Sequence, residues 1–255
     1  SAARMGDVIQ TTEGYEVLDS APDVGSLKGI VYFGNRLCPF AHRAWWAVCE
    51  KGVDKEIRKI HIDLGATKPA WYQESVNELG TVPFVVADGR PIFESSVVAA
   101  FFDEHFSGRG TTLMPADPLR RAQARFLSAR FGGCIGALYR LLKNQDAAQM
   151  DAIKEAARNS LVSFNTFVKA HSSNDGPYLV GAEFSMADID VIPFLDRFQH
   201  TLSHYRDFEL LPDDGQHDRL RAALQACQSR PAFQATSQDA AFYIAVYKGY
   251  ADGSA

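Results

Sequence analysis

Strand signals run out of this 255-residue sequence at about residue 107, and only helical periodicity continues beyond it. Before that point short β-rich runs alternate with helical stretches. Residues 29–33 are β-rich and apolar, 39–51 read as a helix closed by Gly52, and 56–62 alternate like a strand, which predicts a βαβ unit. A short helix is expected over 69–76. Pro83 opens the run Phe84-Val85-Val86, and Asp88-Gly89 makes a hairpin turn into Pro91-Ile92-Phe93. Ser95 is the expected N-cap of a helix that carries Val97, Val98, Phe101 and Phe102 at helical spacing. The order βαβαββα packs as a small mixed sheet covered by helices, an α/β domain predicted over 26–106.

Residues 107–118 turn to Gly, Thr, Pro and Asp and read as a linker. Beyond it 119–142, 147–170, 187–202 and 218–227 have helical periodicity, and helical pieces continue through 247. The second half is therefore an all-α domain, predicted over 118–248. Gly132-Gly133 inside its first long helix either bends that helix or admits a neighbouring backbone. Ser185-Met186-Ala187-Asp188 is a capping box: Ser185 caps the amide three residues on, Asp188 reaches back, and Phe184 staples onto Ile189. Asp188 is thereby read as a folding residue rather than an acid or base.

Composition narrows the function classes. With 46% hydrophobic and 22% charged residues the chain is an ordinary globule, and a net charge of -5 attracts neither nucleic acid nor an anionic membrane surface. No apolar run approaches the ~20 residues that span a bilayer, and the N-terminus lacks a secretory layout, so a soluble cytoplasmic protein is expected. The opening Ser1-Ala2-Ala3-Arg4-Met5 reads as a processing product or expression scar and is kept out of the fold prediction. Cys38, Cys49, Cys134 and Cys227 are scattered, as in a reducing compartment, and no CxxC or His/Cys cluster suggests a metal. On one helix, Cys38 and Cys49 would stand ~16 Å apart, beyond disulfide reach. Cys38 would then act without an adjacent resolving thiol.

The chemistry concentrates at three places. Cys38-Pro39-Phe40 stands where the first strand's loop meets the first helix, with Pro39 suited to the first helical position. Free amides and the helix dipole favour a thiolate at such a position, aided by Arg43 or His42, and predict a nucleophile at neutral pH. Thr81-Val82-Pro83 follows a helix and precedes a strand; a cis X–Pro bond there turns the Val82 backbone outward, where it can pair with a peptide. Glu94-Ser95 opens the next helix: Ser95 with the free amides suits a carboxylate, and Glu94 accepts from an ammonium group. Together these suit an α-amino-acid head group.

The residues Cys38-Pro39-Phe40-Ala41, Val82-Pro83 and Glu94-Ser95, followed by Gly181-x-x-x-Ser185-x-x-Asp188 in an all-α half, resemble the cysteine-type glutathione transferases, with the omega and lambda classes closest. Lys68-Pro69-Ala70-Trp71 and the run from Ile192 to Gln199, Ile-Pro-Phe-Leu-Asp-Arg-Phe-Gln, extend the likeness, which covers roughly residues 29–233. The resemblance implies a thioredoxin-like N-terminal domain that binds glutathione as co-substrate, and a helical glutathione transferase C-terminal domain that supplies the second-substrate site. It implies that Cys38 forms a mixed disulfide with glutathione, that Val82 ahead of cis-Pro83 pairs with the tripeptide backbone, and that Glu94 and Ser95 hold the γ-glutamyl end. Lys68 would approach the glycyl carboxylate, and Phe40 and Arg197 would line the second-substrate side, with a surface ion pair the other reading of Arg197. His42 stands where Glu or Gln is usual in these classes, and is expected to face water.

The implied activity is glutathione-dependent thiol transfer on small mixed disulfides or adducts, with dehydroascorbate reduction among the candidates. The rivals are a conjugating transferase that uses Tyr32 or another hydroxyl, and a non-catalytic ligand carrier of the same fold. The expected partners are glutathione and a small electrophile or disulfide, with monomer and homodimer both open. Trp45 and Trp46 read as helix packing, and Arg120, Arg121, Arg125 and Arg130 as a solvated helix face.

Overall fold

The computed structural model describes residues 12–173 and 175–254, so the opening Ser1 to Met5 stretch lies outside the described residues. The chain divides into two units, one running through Thr111 and including Ala235–Ser237, the other made of Thr112–Gln234 and Gln238–Ala255.

In the first unit Ile30–Gly34 forms β1, Pro39–Glu50 α1 and Arg58–His61 β2. Strand β2 pairs parallel to β1, with Phe33 opposite Ile60, which a crossover helix such as α1 makes possible. Phe84–Ala87 is β3, antiparallel to β1, and Arg90–Ile92 is β4, antiparallel to β3, so the sheet order is β2-β1-β3-β4. The β3–β4 turn places Asp88 at φ 46° and Gly89 at φ 77°, the paired positive angles for which Asp-Gly is suited. Asp88 also accepts the Gly29 amide at 2.9 Å and so ties the turn to the start of β1. Ser95–His105 is α2.

The sheet is buried on both faces because alternate β1 residues point opposite ways. Val31 and Phe33 join a core with Cys38, Ala41, Ile60, Tyr72, Val82 and Phe84. Tyr32 joins the other, with Ala44 and Val48 of α1, Val85, and Val98 and Phe102 of α2. The expected helix over 69–76 is mainly a π turn, Tyr72–Val76, closed by the Asn77 amide on the Tyr72 carbonyl at 2.8 Å. Asn77 leaves the helix because its side chain caps its own backbone, accepting the Leu79 amide at 3.0 Å.

The second unit is all helical: α3 Pro118–Lys143, α4 Met150–His171, α5 Met186–Arg206, α6 Asp218–Gln228, the short α7 Pro231–Gln234 and α8 Ala240–Asp252. Asp117 caps α3 by accepting the Arg120 amide at 2.8 Å, with Pro118 at the first helical position. Helix α5 is buried on every side from Met186 through Phe198, the charged Asp188, Asp190, Asp196 and Arg197 included, and is the centre of this unit. The capping box forms: Asp188 Oδ2 accepts the Ser185 amide at 2.9 Å, and Asp188 Oδ1 accepts the Leu179 amide at 2.9 Å. Phe184 packs edge-on against Tyr178 and lies under the Arg230 guanidinium. Helix α3 runs through Gly132-Gly133 without a break, and a Cβ on either would meet nothing within 4 Å, so no neighbouring backbone approaches there. Among the described residues no helix is long and apolar enough to cross a membrane.

Candidate functional site

The loop between β1 and α1 is folded by Asn35. Its side chain accepts the Leu37 amide at 3.0 Å and donates to the Ile62 carbonyl at 2.9 Å, and its carbonyl accepts the Cys38 amide at 3.3 Å. An Asx turn of this kind reverses the chain before Cys38 and anchors the loop beside β2. Cys38 is then the N-cap of α1, extended at φ -75° and ψ 120°, with Pro39 next and the Cys38 carbonyl accepting the first helical bond from His42 at 2.9 Å. The thiol lies at the helix start, 8% exposed, with Sγ 3.8 Å from the Val82 carbonyl oxygen.

Val82–Pro83 is a cis peptide bond. The carbonyl of Thr81, one residue earlier, is held from two sides: the Tyr72 hydroxyl donates at 2.7 Å and the Asn77 side-chain Nδ2 at 2.8 Å. The segment facing the thiol is thereby pinned by the π turn that precedes it. Lys68 is half-buried next to the same segment, its ammonium 3.2 Å from the Gly80 carbonyl and 3.4 Å from Gln73 Oε1.

At the start of α2 the cap is Glu94, at φ 67° and ψ 122°, and not Ser95, which is the first helical residue. Glu94 takes the left-handed turn from β4 and its carbonyl accepts the Val98 amide at 2.8 Å, so the helix begins one position earlier than the serine suggests. Ser95 Oγ accepts from Arg43 at 3.1 Å, and the Arg43 guanidinium lies 5.3 Å from the Phe40 ring centroid. Arg43 therefore joins Phe40 of α1 to the head of α2. Glu94 and the edge of Phe40 are exposed.

The remaining cysteines lie inside helices. Burial pushes the Cys49 thiol up to about 12 and the Cys134 thiol up to about 11, while Cys227 is fully buried. All four are free thiols. Tyr32 has no exposure, and its hydroxyl donates to the Ala41 carbonyl at 2.8 Å. Burial raises that phenol far above its usual range, so the ring braces the first turn of α1 and offers no hydroxyl to an incoming sulfur. Gly34 is what lets the ring lie there, since a Cβ on it would fall 2.3 Å from the Tyr32 ring.

His42 corrects the expectation of a water-facing side chain. It is 4% exposed, with Nε2 2.8 Å from Thr236 Oγ1 and its ring 6.0 Å from Trp46. Trp45 and Trp46 are packing residues: Trp46 is fully buried and donates to Glu50, and Trp45 rests on Tyr32. Arg197, in α5 of the helical unit, is 1% exposed, donates to the Pro193 carbonyl at 2.9 Å and lies over the Tyr243 ring at 4.7 Å. That burial removes the surface ion pair as a reading of Arg197. Arg125 and Arg130 are exposed, as a solvated face requires.

Asn35, Tyr72 and Asn77 were not singled out from sequence. A signal for the two asparagines is present: Asn35-Arg36-Leu37 and Asn77-Glu78-Leu79 are the same Asx turn, each with its Leu amide bonded to the Asn side chain. Among the described residues no cluster of three or more His, Cys, Asp or Glu could hold a metal ion.

The sequence pattern described as Glutathione S-transferase, N-terminal domain, matches residues 37–105, and that described as Glutathione S-transferase, C-terminal domain, matches 122–236. Protein IN2-1 homolog A of Oryza sativa subsp. japonica is 36% identical over 183 residues, covering 71% of this chain and 68% of that protein. Glutathione S-transferase L3 of Arabidopsis thaliana is 27% identical over 216 residues, covering 85% of each. The crystal structure of glutathione transferase Omega 2C from Trametes versicolor superposes with a TM-score of 0.71 at 25% identity, over 89% of this chain and all of that one. With both domain patterns in order and a sheet-then-helices architecture to match, this chain belongs to the glutathione S-transferase family and is a glutathione transferase.

Proposed function

We propose that this transferase works by thiol–disulfide exchange at Cys38, removing glutathione from small mixed disulfides or adducts. The observation that carries the reading is the 3.8 Å approach of the Cys38 sulfur, at the start of α1, to the Val82 carbonyl beside cis-Pro83. A peptide strand laid along Val82 would bring its own cysteine sulfur to that thiol. In this reading the α1 amides stabilise the Cys38 thiolate, Val82 pairs with the glutathione backbone, and Glu94 and Ser95 receive its γ-glutamyl end. Lys68 takes the glycyl carboxylate, releasing the Gly80 carbonyl it now approaches. Phe40 flanks the entering substrate.

The chemistry balances in two exchanges. The Cys38 thiolate attacks the glutathionyl sulfur of a mixed disulfide, forms a Cys38–glutathione disulfide and expels the substrate thiolate, which takes up a proton. A second glutathione thiolate then attacks the glutathionyl sulfur, leaving oxidised glutathione and the Cys38 thiolate. Reduction of dehydroascorbate would instead consume two free glutathiones, whose thiols supply the two electrons and two protons and leave as oxidised glutathione. A reducing, cytoplasmic setting accords with four free cysteines.

Cys38→Ser should lose glutathione-dependent reduction of a glutathionylated small thiol by several orders of magnitude while still folding. Intact mass after exposure to oxidised glutathione should show one adduct in the parent chain, mapped to Cys38, and none there in the variant. Undiminished turnover in Cys38→Ser would remove the cysteine from the mechanism.

A further inference from the structure

The N-terminal unit has a cavity of about 60 Å3, lined by Glu13, Tyr15, Arg36, Trp45, Lys59 and Thr236 among others, and by none of Cys38, Val82, Glu94 or Ser95. That volume accommodates about four waters, the room a tetrahedral oxyanion needs.

Its walls carry a charge imbalance. Arg36 is paired with Glu13 at 2.9 Å, and that carboxylate is 75% exposed. The Lys59 ammonium stands over two rings instead, 4.2 Å from the Trp45 centroid and 4.9 Å from that of Tyr15. Among the described residues no carboxylate is within ion-pairing distance of it; Asp54 acts on it only from farther away. Burial, together with the nearby Arg36 charge, lowers the Lys59 pKa, so an anion placed between the two cations relieves a repulsion the fold otherwise carries. Tyr15, a neutral phenol whose pKa burial raises further, is a donor rather than a competing anion. The aromatic floor adds a rigid support and holds the ammonium at the cavity wall.

We infer that this cavity is a binding site for a compact oxyanion of the phosphate or sulfate kind, held by Lys59 and Arg36 with Tyr15 at its side. Arg36 belongs to the loop that leads into Cys38, and Asn35 and Ala41 also line the cavity, but none of Cys38, Val82, Glu94 or Ser95 does, so the site is tested independently of the thiol-transfer reading.

The test is a titration of the whole chain with inorganic phosphate at constant ionic strength, followed by tryptophan fluorescence, since Trp45 lies directly beneath Lys59, and repeated by calorimetry. Saturable binding is expected, weakened about tenfold or more by Lys59→Met, which removes the charge-assisted contact and keeps the stem. It should persist in Lys59→Arg, in the exposed control Lys55→Met and in Cys38→Ser. If circular dichroism shows Lys59→Met unfolded, Arg36→Gln takes its place with the same expectation. Absence of saturation by both methods, or equal affinity in Lys59→Met, would overturn the assignment. Sulfate competing with phosphate supports it, and competition by chloride at equal ionic strength counts against it.

Discussion

At the scale of single residues, Tyr32 separates two chemistries that the sequence left open. A tyrosine near the end of the first strand can activate a thiol only if its hydroxyl is reachable, and here it is spent on the Ala41 carbonyl with no exposure. Tyr32→Phe should therefore lower stability by about 1 kcal/mol, the net worth of one buried hydrogen bond, and leave thiol transfer unchanged. A loss of turnover disproportionate to the shift in melting temperature would return the phenol to the chemistry. Gly34→Ala probes the same packing from below: its methyl would meet the ring at 2.3 Å, and chemical denaturation should register a cost of about 1–3 kcal/mol. The place of Cys38 at the start of α1 was legible because strand, loop, Cys-Pro and helix follow one another in sequence. The environments of His42 and Ser95 were not, since both depend on partners far along the chain, Thr236 and Arg43, that no local pattern announces.

At the scale of elements, α5 shows how a cap is tied to pH. Burial raises the Asp188 carboxyl from 3.8 to about 6, against the pull of the Leu179 and Ser185 hydrogen bonds. A folded-state pKa above the unfolded value means that the folded chain holds its proton longer. The group's contribution is thus complete below pH ~4 and is lost as pH rises toward ~6, a decline on the order of 3 kcal/mol. Urea unfolding of the parent chain and Asp188→Asn should show their stability difference shift by that amount, in favour of the parent at the acid end. A pH-independent difference would mean that the carboxyl ionises at its ordinary value. The capping box itself was readable in Ser185-x-x-Asp188, because its bonds lie within one helical turn. The π turn Tyr72–Val76 was not, since apolar spacing over so few residues does not distinguish it from a helix, and what fixes it is the side chain of Asn77.

At the scale of the whole molecule, the division into an α/β part and a helical part was plain in the loss of strand signals, because burial on a two-residue or a 3.6-residue period leaves its mark on every element. The segment after α2 was harder to read. Composition marks 107–118 as a linker, yet its first residues are fastened to the N-terminal unit. Gly110, at φ 51°, leaves no room for a Cβ beside the Glu50 carbonyl. The Thr111 hydroxyl donates to Glu50 at 2.9 Å, and Arg109 pairs with Glu56. The deepest tie is Lys51, 2% exposed at the end of α1, whose ammonium reaches Asp103 of α2 at 2.9 Å and the Thr111 carbonyl at 3.1 Å. One cation thus holds together the helix that follows Cys38, the helix that begins at Ser95 and the chain leaving the unit. Lys51→Met strips the buried Asp103 of its ammonium and should cost about 3–5 kcal/mol, whereas Lys51→Met with Asp103→Leu should recover most of that loss, since paired burial of charge contributes little net stability. Limited proteolysis reads the same variant locally: cleavage should accelerate first near Thr111 and be suppressed again in the double variant. Equal stability of the single variant and the parent would show that the ammonium is dispensable to that junction.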